Sequence, residues 1–436
     1  MKTRIKRRAA VVLLALCTCL LCGCKLSDSV EDLFTLPRVP EEYTVLSSEL
    51  STLISQGYEY AAPTGGRNIQ SVQMVDLDND GDEEVLAFLH RSGDDRQLKI
   101  FIYENRNDAY ELLCTVESSG TAIDSVSYED LTGDGCRELI VGWRISTDVR
   151  TLAVYRIRPQ TEMLAQTGYT QFSLLDLTGD RRKELLIYRT NESGISVAEM
   201  YGWRDNALQV TAGCVLSGSM ADLNRGNIVT GAWDEDAQAV YLTGFTEDGQ
   251  AITDILVYQS SKLYNIVMSG SGHSRVIYPQ TDLRPQDINK DGIIEVPAPW
   301  STWDGRAEAI VRWLQYDARG ESKNMMTTYH NTKQGWYFQL PASLPGYISV
   351  QSSTPRTYET KDTLFSDGAA LVHIYTNSGE NRNSRATSGD RFVLRRSGSV
   401  VYSAETTEDG IRLGLTEEII RQNFRLIVSN WAYGNN

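Results

Sequence analysis

The chain has 436 residues, 41% hydrophobic and 23% charged, enough apolar material for two or three packed domains and unlike a disordered polymer. Its 57 acidic residues outnumber 42 basic ones, for a formal charge of −15. Such a surface repels nucleic acid and attracts cations, so nucleic-acid binding is set aside.

The N-terminus reads as a targeting segment over residues 1–23. "MKTRIKRR" is a basic region, and "AAVVLLALCTCLL" is apolar but too short for a stable membrane span. Leu21, Cys22, Gly23 and Cys24 then resemble a bacterial lipobox. That resemblance implies cleavage before Cys24, lipidation of its thiol, and an extracytoplasmic chain held to the cell membrane by lipid alone. Loss of five basic residues with the leader leaves 37 against 57 acids, a charge of −20. Cys114, Cys136 and Cys214 remain, an odd set that permits one bridge at most. Residues 24–65 read as a linker with one amphipathic helix in "EEYTVLSSELSTLISQ", ended by "APTGGRN".

From residue 66 a phrase of acids and turn residues recurs. The copies are "DLDNDGDEEV" from Asp76, "DLTGDGCREL" from Asp130, "DLTGDRRKEL" from Asp176, "DLNRGNIVTG" from Asp222 and "DINKDGIIEV" from Asp287. Their starts lie 54, 46, 46 and 65 residues apart, the spacing of a repeat architecture. Short apolar runs flank each copy, such as "IQSVQMVDL" before and "EVLAFLH" after, and two further runs close the unit. Four short strands per fifty-residue unit predict a β-propeller blade.

The spacing of the acids has a chemical reason. Positions 1, 3, 5 and 9 bring side-chain oxygens around one point, position 7 adds a backbone carbonyl, and Gly at position 6 permits the left-handed turn. An all-oxygen cage suits calcium. An EF-hand would need Glu at position 12, where Ala87, Val141, Ile187 and Ala298 stand.

The phrase, set between two strands, resembles the FG-GAP or VCBS repeat of integrin-alpha-type propellers, over roughly residues 66–330. The resemblance implies calcium ligands Asp76, Asp78, Asp80, Asp82 (backbone) and Glu84 in the first copy. It implies Asp130, Thr132, Asp134, Cys136 (backbone) and Glu138 in the second, and Asp287, Asn289, Asp291, Ile293 (backbone) and Glu295 in the fifth. The third copy keeps Asp176, Thr178, Asp180 and Glu184 but sets Arg181 where Gly belongs, beside Arg182 and Lys183, so an arginine is expected in place of the ion. The fourth has Gly226 and Thr230 in place of acids and is expected to be an ion-free turn.

The fifth unit lacks two strands until residues 309–331, whose "AIVRWLQYD" and "KNMMTTYHN" flank a turn and predict a hairpin on that unit. The expected architecture is mainly β: a β-propeller of about five four-stranded blades over 66–334, then a small α+β domain over 335–436. The C-terminal part reads as strands near 347, 370–376, 391–396 and 399–404, then a helix in "TEEIIRQNF" capped by Thr416. The run "GWYFQLPASLPGYISV" resembles a small α+β module at the C-termini of clostridial-type lipoproteins.

No GxSxG elbow, HExxH helix, P-loop or Cys–His pair is present, and His90, His273, His330 and His373 show no metal-ligand spacing. Trp143, Trp203, Trp233, Trp300, Trp303, Trp313 and Trp336 lie in or beside the repeats, either as core or as platforms for a surface ligand. The expected function is a calcium-stabilised binding or scaffold protein for a protein or glycan at the cell surface. The alternative is a surface hydrolase or lyase acting on polysaccharide or cell-wall material.

Overall fold

The computed structural model describes residues 42–106, 109–158, 161–299 and 310–427. The leader, Cys24, Trp300 and Trp303 lie outside the described residues. The chain is mainly β, with 53% strand and 10% helix, arranged in six antiparallel sheets taken up in chain order.

The first sheet runs Glu59–Tyr60, Glu84–His90, Leu98–Arg106 and Ala109–Ser118, with Val72–Val75 also paired to Glu84–His90. The second holds Ala122–Glu129, Glu138–Arg144, Arg150–Arg156 and Glu162–Gly168; the third holds Gln171–Leu175, Glu184–Thr190, Ser196–Arg204 and Ala207–Val215. The fourth comprises Asn227–Asp234, Ala237–Phe245, Gln250–Gln259 and Lys262–Asn265, with Ile277–Pro279 added to Gln250–Gln259.

The repeat is visible in detail. The strand that leaves each acidic phrase, "EVLAFLH", "ELIVGWR" or "ELLIYRT", is buried on both faces over at least its first five residues. That is why these runs are nearly continuous in apolar residues and not cleanly alternating. In each next strand the register slips at a tyrosine, between Ile102 and Tyr103, Val154 and Tyr155, and Met200 and Tyr201. A bulge at one place in three units twists each outer strand alike.

Neighbouring sheets share apolar cores. Leu86, Phe88 and Ile100 of the first meet Leu139, Val141 and Trp143 of the second. Ile140 and Leu152 of the second meet Leu185 and Ile187 of the third. Leu186 and Met200 meet Val240 and Leu256 of the fourth, whose Tyr241 and Ile255 meet Val296 and Leu314 of the fifth. Ring closure would place a sheet on the other face of the first sheet. That face, carrying Val85, Ala87, Leu89, Phe101 and Tyr103, is covered by Leu46 and Leu50 of helix α1 (Glu42–Ser55) and by Tyr58. Each buried leucine there contributes about 1.5–3 kcal/mol. The predicted helix thus forms, but as a cover for the first sheet and not as a free linker.

The fifth sheet contains the predicted hairpin, Ile310–Tyr316 with Ser322–Asn331, beside Val296–Pro299. A boundary at residue 335 would cut between hydrogen-bonded neighbours: Trp336–Gln339 pairs with Ser322–Asn331, and Phe424–Leu426 returns from the C-terminus to pair with it. The reason is packing. Ile310, Tyr329, Trp336 and Phe424 belong to one core with Leu364, Leu371 and Tyr402 of the sixth sheet. The sixth sheet orders Ile348–Arg356, Glu359–Ser366, Ala369–Asn377, Val400–Thr406 and Phe392–Ser397. The helix Glu417–Asn423 is capped as expected, Thr416 Oγ1 accepting from Ile419 N at 3.4 Å. Between the two sheets lies a cavity of about 350 Å³, in which the buried Asp362 accepts from Tyr329 Oη at 3.0 Å, Asn331 Nδ2 at 2.8 Å and Ser352.

Candidate metal centre

In the first three units the acidic phrase joins a short strand (Val72–Val75, Ala122–Glu129 or Gln171–Leu175) to the strand after it, with which that short strand pairs. In the fifth, the preceding strand shrinks to one bridge between Gln286 and Glu295. All four loops take the same backbone path. Position 4 is left-handed in each, at Asn79 (φ 58°), Gly133 (79°), Gly179 (78°) and Lys290 (65°), and so is position 6, at Gly81 (97°), Gly135 (92°), Arg181 (71°) and Gly292 (91°). Position 6 was expected from the sequence. Position 4, occupied by Asn, Gly, Gly and Lys, was not.

Three hydrogen bonds repeat with that path. The position-1 aspartate accepts from the position-6 amide: Gly81 to Asp76 at 3.3 Å, Gly135 to Asp130 at 3.0 Å, Arg181 to Asp176 at 2.8 Å and Gly292 to Asp287 at 2.9 Å. The position-5 aspartate accepts from the position-7 amide at 2.9 Å in every loop, so Asp82, Cys136, Arg182 and Ile293 each donate. The position-9 glutamate accepts from the position-2 amide, Leu77 to Glu84 at 2.7 Å, Leu131 to Glu138 at 2.8 Å, Leu177 to Glu184 at 2.8 Å and Ile288 to Glu295 at 3.0 Å. That glutamate begins the doubly buried strand. Burial pushes Glu84, Glu138 and Glu295 up to about 7, and Glu184 upward too.

The loops differ at position 3. Thr132 and Thr178 donate their hydroxyls to the outer oxygen of Glu138 (3.3 Å) and Glu184 (2.7 Å). In the fifth loop Asn289 Nδ2 donates to Glu295 Oε1 at 2.9 Å, and Gln315 Nε2 from the hairpin donates to the same oxygen at 2.7 Å and to Asp291 at 2.9 Å. The first loop has Asp78 there, which has no proton to give. Asp76 Oδ1 and Asp78 Oδ1 are buried and accept no hydrogen bond. One oxygen each from Asp76, Asp78 and Glu84 lies within 4.8 Å of the others. Burial, then the charge of Asp80, raises Asp78 above the ordinary carboxylate range. Orphaned acceptors and an all-oxygen donor set could hold a hard metal cation here.

A second such grouping comprises Asp176, Asp180 and Glu184 of the third loop. There the expected arginine is present: Arg182 holds Asp180 through Nε at 3.1 Å and Nη2 at 2.5 Å, which lowers that carboxyl. The fourth copy is a helix, not a turn. Asp222 lies inside Met220–Arg225, its amide donating to Ser219 Oγ at 3.1 Å and its carboxylate pairing with Arg225 at 2.5 Å.

Successive loops touch. Arg137 N donates to Leu77 O at 2.6 Å, Lys183 pairs with Glu129, and the Arg182 side chain lies over Gly133. Arg158 stands 3.3 Å from Asp78 and also pairs with Glu104. Arg158 and Gln315 escaped the sequence reading because they reach the loops from distant parts of the chain, Arg158 from just past the strand Arg150–Arg156 and Gln315 from the hairpin, with no local spacing to mark them.

The remaining candidates separate cleanly. Cys114, Cys136 and Cys214 are free thiols. Trp143, Trp233, Trp313 and Trp336 are buried core, while half-buried Trp203 has the Arg156 guanidinium 4.8 Å from its ring. Among the described residues no helix is long and apolar enough to cross a membrane.

No protein-family model and no curated protein matches the chain. Among solved structures, one titled "Hypothetical protein from leishmania major" is similar over 63% of this chain and 92% of its own, at 9% identity and a TM-score of 0.23. A likeness that slight carries no argument about fold or function.

Proposed function

We propose that the chain is a lipid-anchored, extracytoplasmic scaffold of propeller-type blades that is stabilised by calcium and displays its outer surface to a protein or glycan partner. The observation that carries this reading is the recurrence of one loop conformation at four places, each tied to a buried glutamate, with the first three joined in succession. A loop that repeats in register holds sheets in place; it is not arranged as a reaction centre. Asp76, Asp78 and Glu84 would hold the ion, with Asp80 beside them, and its charge would offset the repulsion among those acids. The buried glutamates are engaged by their own loop amides, so they give the hydrolase reading no support.

The anchored location rests on Leu21–Cys24 and is tested by exchange of that cysteine. Cells fed labelled fatty acid should label the full chain and retain it in the membrane fraction, while Cys24→Ser should lose both. Equal labelling of the two forms would remove the anchor and the surface role with it.

A further inference from the structure

We infer that the side chain at position 3 decides whether each loop needs a cation, and that the chain therefore binds one calcium ion, at the first loop, and none at the other three. The inference rests on the calcium reading above and narrows it.

The warrant is the hydrogen bonding of the position-9 glutamate. Its inner oxygen is held by a backbone amide in every loop. Its outer oxygen is held by a neutral donor in three of them: the Thr132 hydroxyl, the Thr178 hydroxyl, and the Asn289 and Gln315 amides. A hydroxyl or amide both fills the centre of the loop and removes one carboxylate from it, so the need for a positive charge falls twice. Among the described residues, those three loops leave no buried side-chain oxygen without a partner, whereas the first leaves Asp76 Oδ1 and Asp78 Oδ1.

The charge balance agrees. The first loop carries Asp76, Asp78, Asp80, Asp82, Glu83 and Glu84 with no basic residue inside it, while the third carries Arg181, Arg182 and Lys183 and the fifth Lys290. Arg158 does not settle the first loop's charge, because its guanidinium is shared between Asp78 and Glu104. A buried acceptor with no donor is costly, and a cation is the remaining way to satisfy two of them at once. The third loop, although its acids are grouped, has that charge supplied by Arg182.

The rule predicts loss and gain by exchange of one residue. Equilibrium dialysis of the full chain against radioactive calcium up to a few millimolar should saturate at one ion per chain, with a dissociation constant of about 10⁻⁴–10⁻³ M. Asp78→Thr, which gives the first loop the donor of the second and third, should bind none and melt at the same temperature with and without chelator. Thr132→Asp should bind two. Wild-type saturation at two or three ions, or retained binding in Asp78→Thr, overturns the inference while leaving the calcium reading intact. Thr132→Asp that still binds a single ion overturns the position-3 rule even if Asp78→Thr fails to fold. No binding by the wild type would end the calcium reading itself.

Discussion

At position 6 of the third loop, Arg181 adopts φ 71° where its counterparts are glycine. The sequence argues that a non-glycine residue there is strained, and the strain, about 1–2 kcal/mol, is accepted without any change of path. Residue identity thus reports the cost of a conformation more faithfully than its presence. The loop acids were legible because their spacing is local. The hydrogen bonds within the loops were only partly so: Thr132 and Asn289 read as ligands, and in the structure each donates a hydrogen bond to the loop glutamate. Histidine spacing also says little about burial. His330 stacks on Tyr337, ring centroids 5.1 Å apart, and burial holds it down to about 3 from the ordinary 6.5. The unfolded chain therefore binds a proton between those values that the folded state refuses, so stability falls as pH drops below about 6.5. Denaturant titrations at pH 7 and 4.5 should show a loss smaller in His330→Phe than in wild type by roughly 1–3 kcal/mol. Equal losses would mean that His330 takes up its proton within the fold.

At the scale of elements, apolar periodicity located the strands of the first three sheets, except Glu59–Tyr60 in the segment read as a linker, and the hairpin of the fifth, since a run buried on one or both faces declares itself. It missed Glu359–Ser366, whose "ETKDTLFS" mixes polar and apolar residues because buried Glu359, Asp362 and Thr363 hydrogen-bond to Arg391, Tyr329 and His373 on other segments. It also read the fourth copy as a turn, although Ser219 followed by Asp222 is an N-cap pairing. Gly226, where the repeat would have an acid, ends that short helix against the next strand. A β-carbon there would lie 1.7 Å from the Thr243 carbonyl oxygen. Gly226→Ala should therefore cost about 2–4 kcal/mol in denaturant unfolding, through overpacking of backbone against backbone. A change within about 0.5 kcal/mol would show that the helix can lift away freely.

For the whole molecule, the sequence conveyed the repeat but not its ends. Periodicity reports which faces of a strand are buried; it does not say what buries them. Helix α1 takes the place of a sheet on the first unit, and the strand Trp336–Gln339 binds the fifth sheet to the C-terminal one. Both were legible as elements and not as partners. The stack runs through shared cores from the first sheet to the sixth, so a cation that ties the first loop also acts on the cores beside it. The direct test is thermal unfolding of the full chain in millimolar calcium and in chelator at matched ionic strength. The account predicts a higher melting temperature in calcium, rising with concentration as mass action on the folded state requires, and superimposable curves would contradict it.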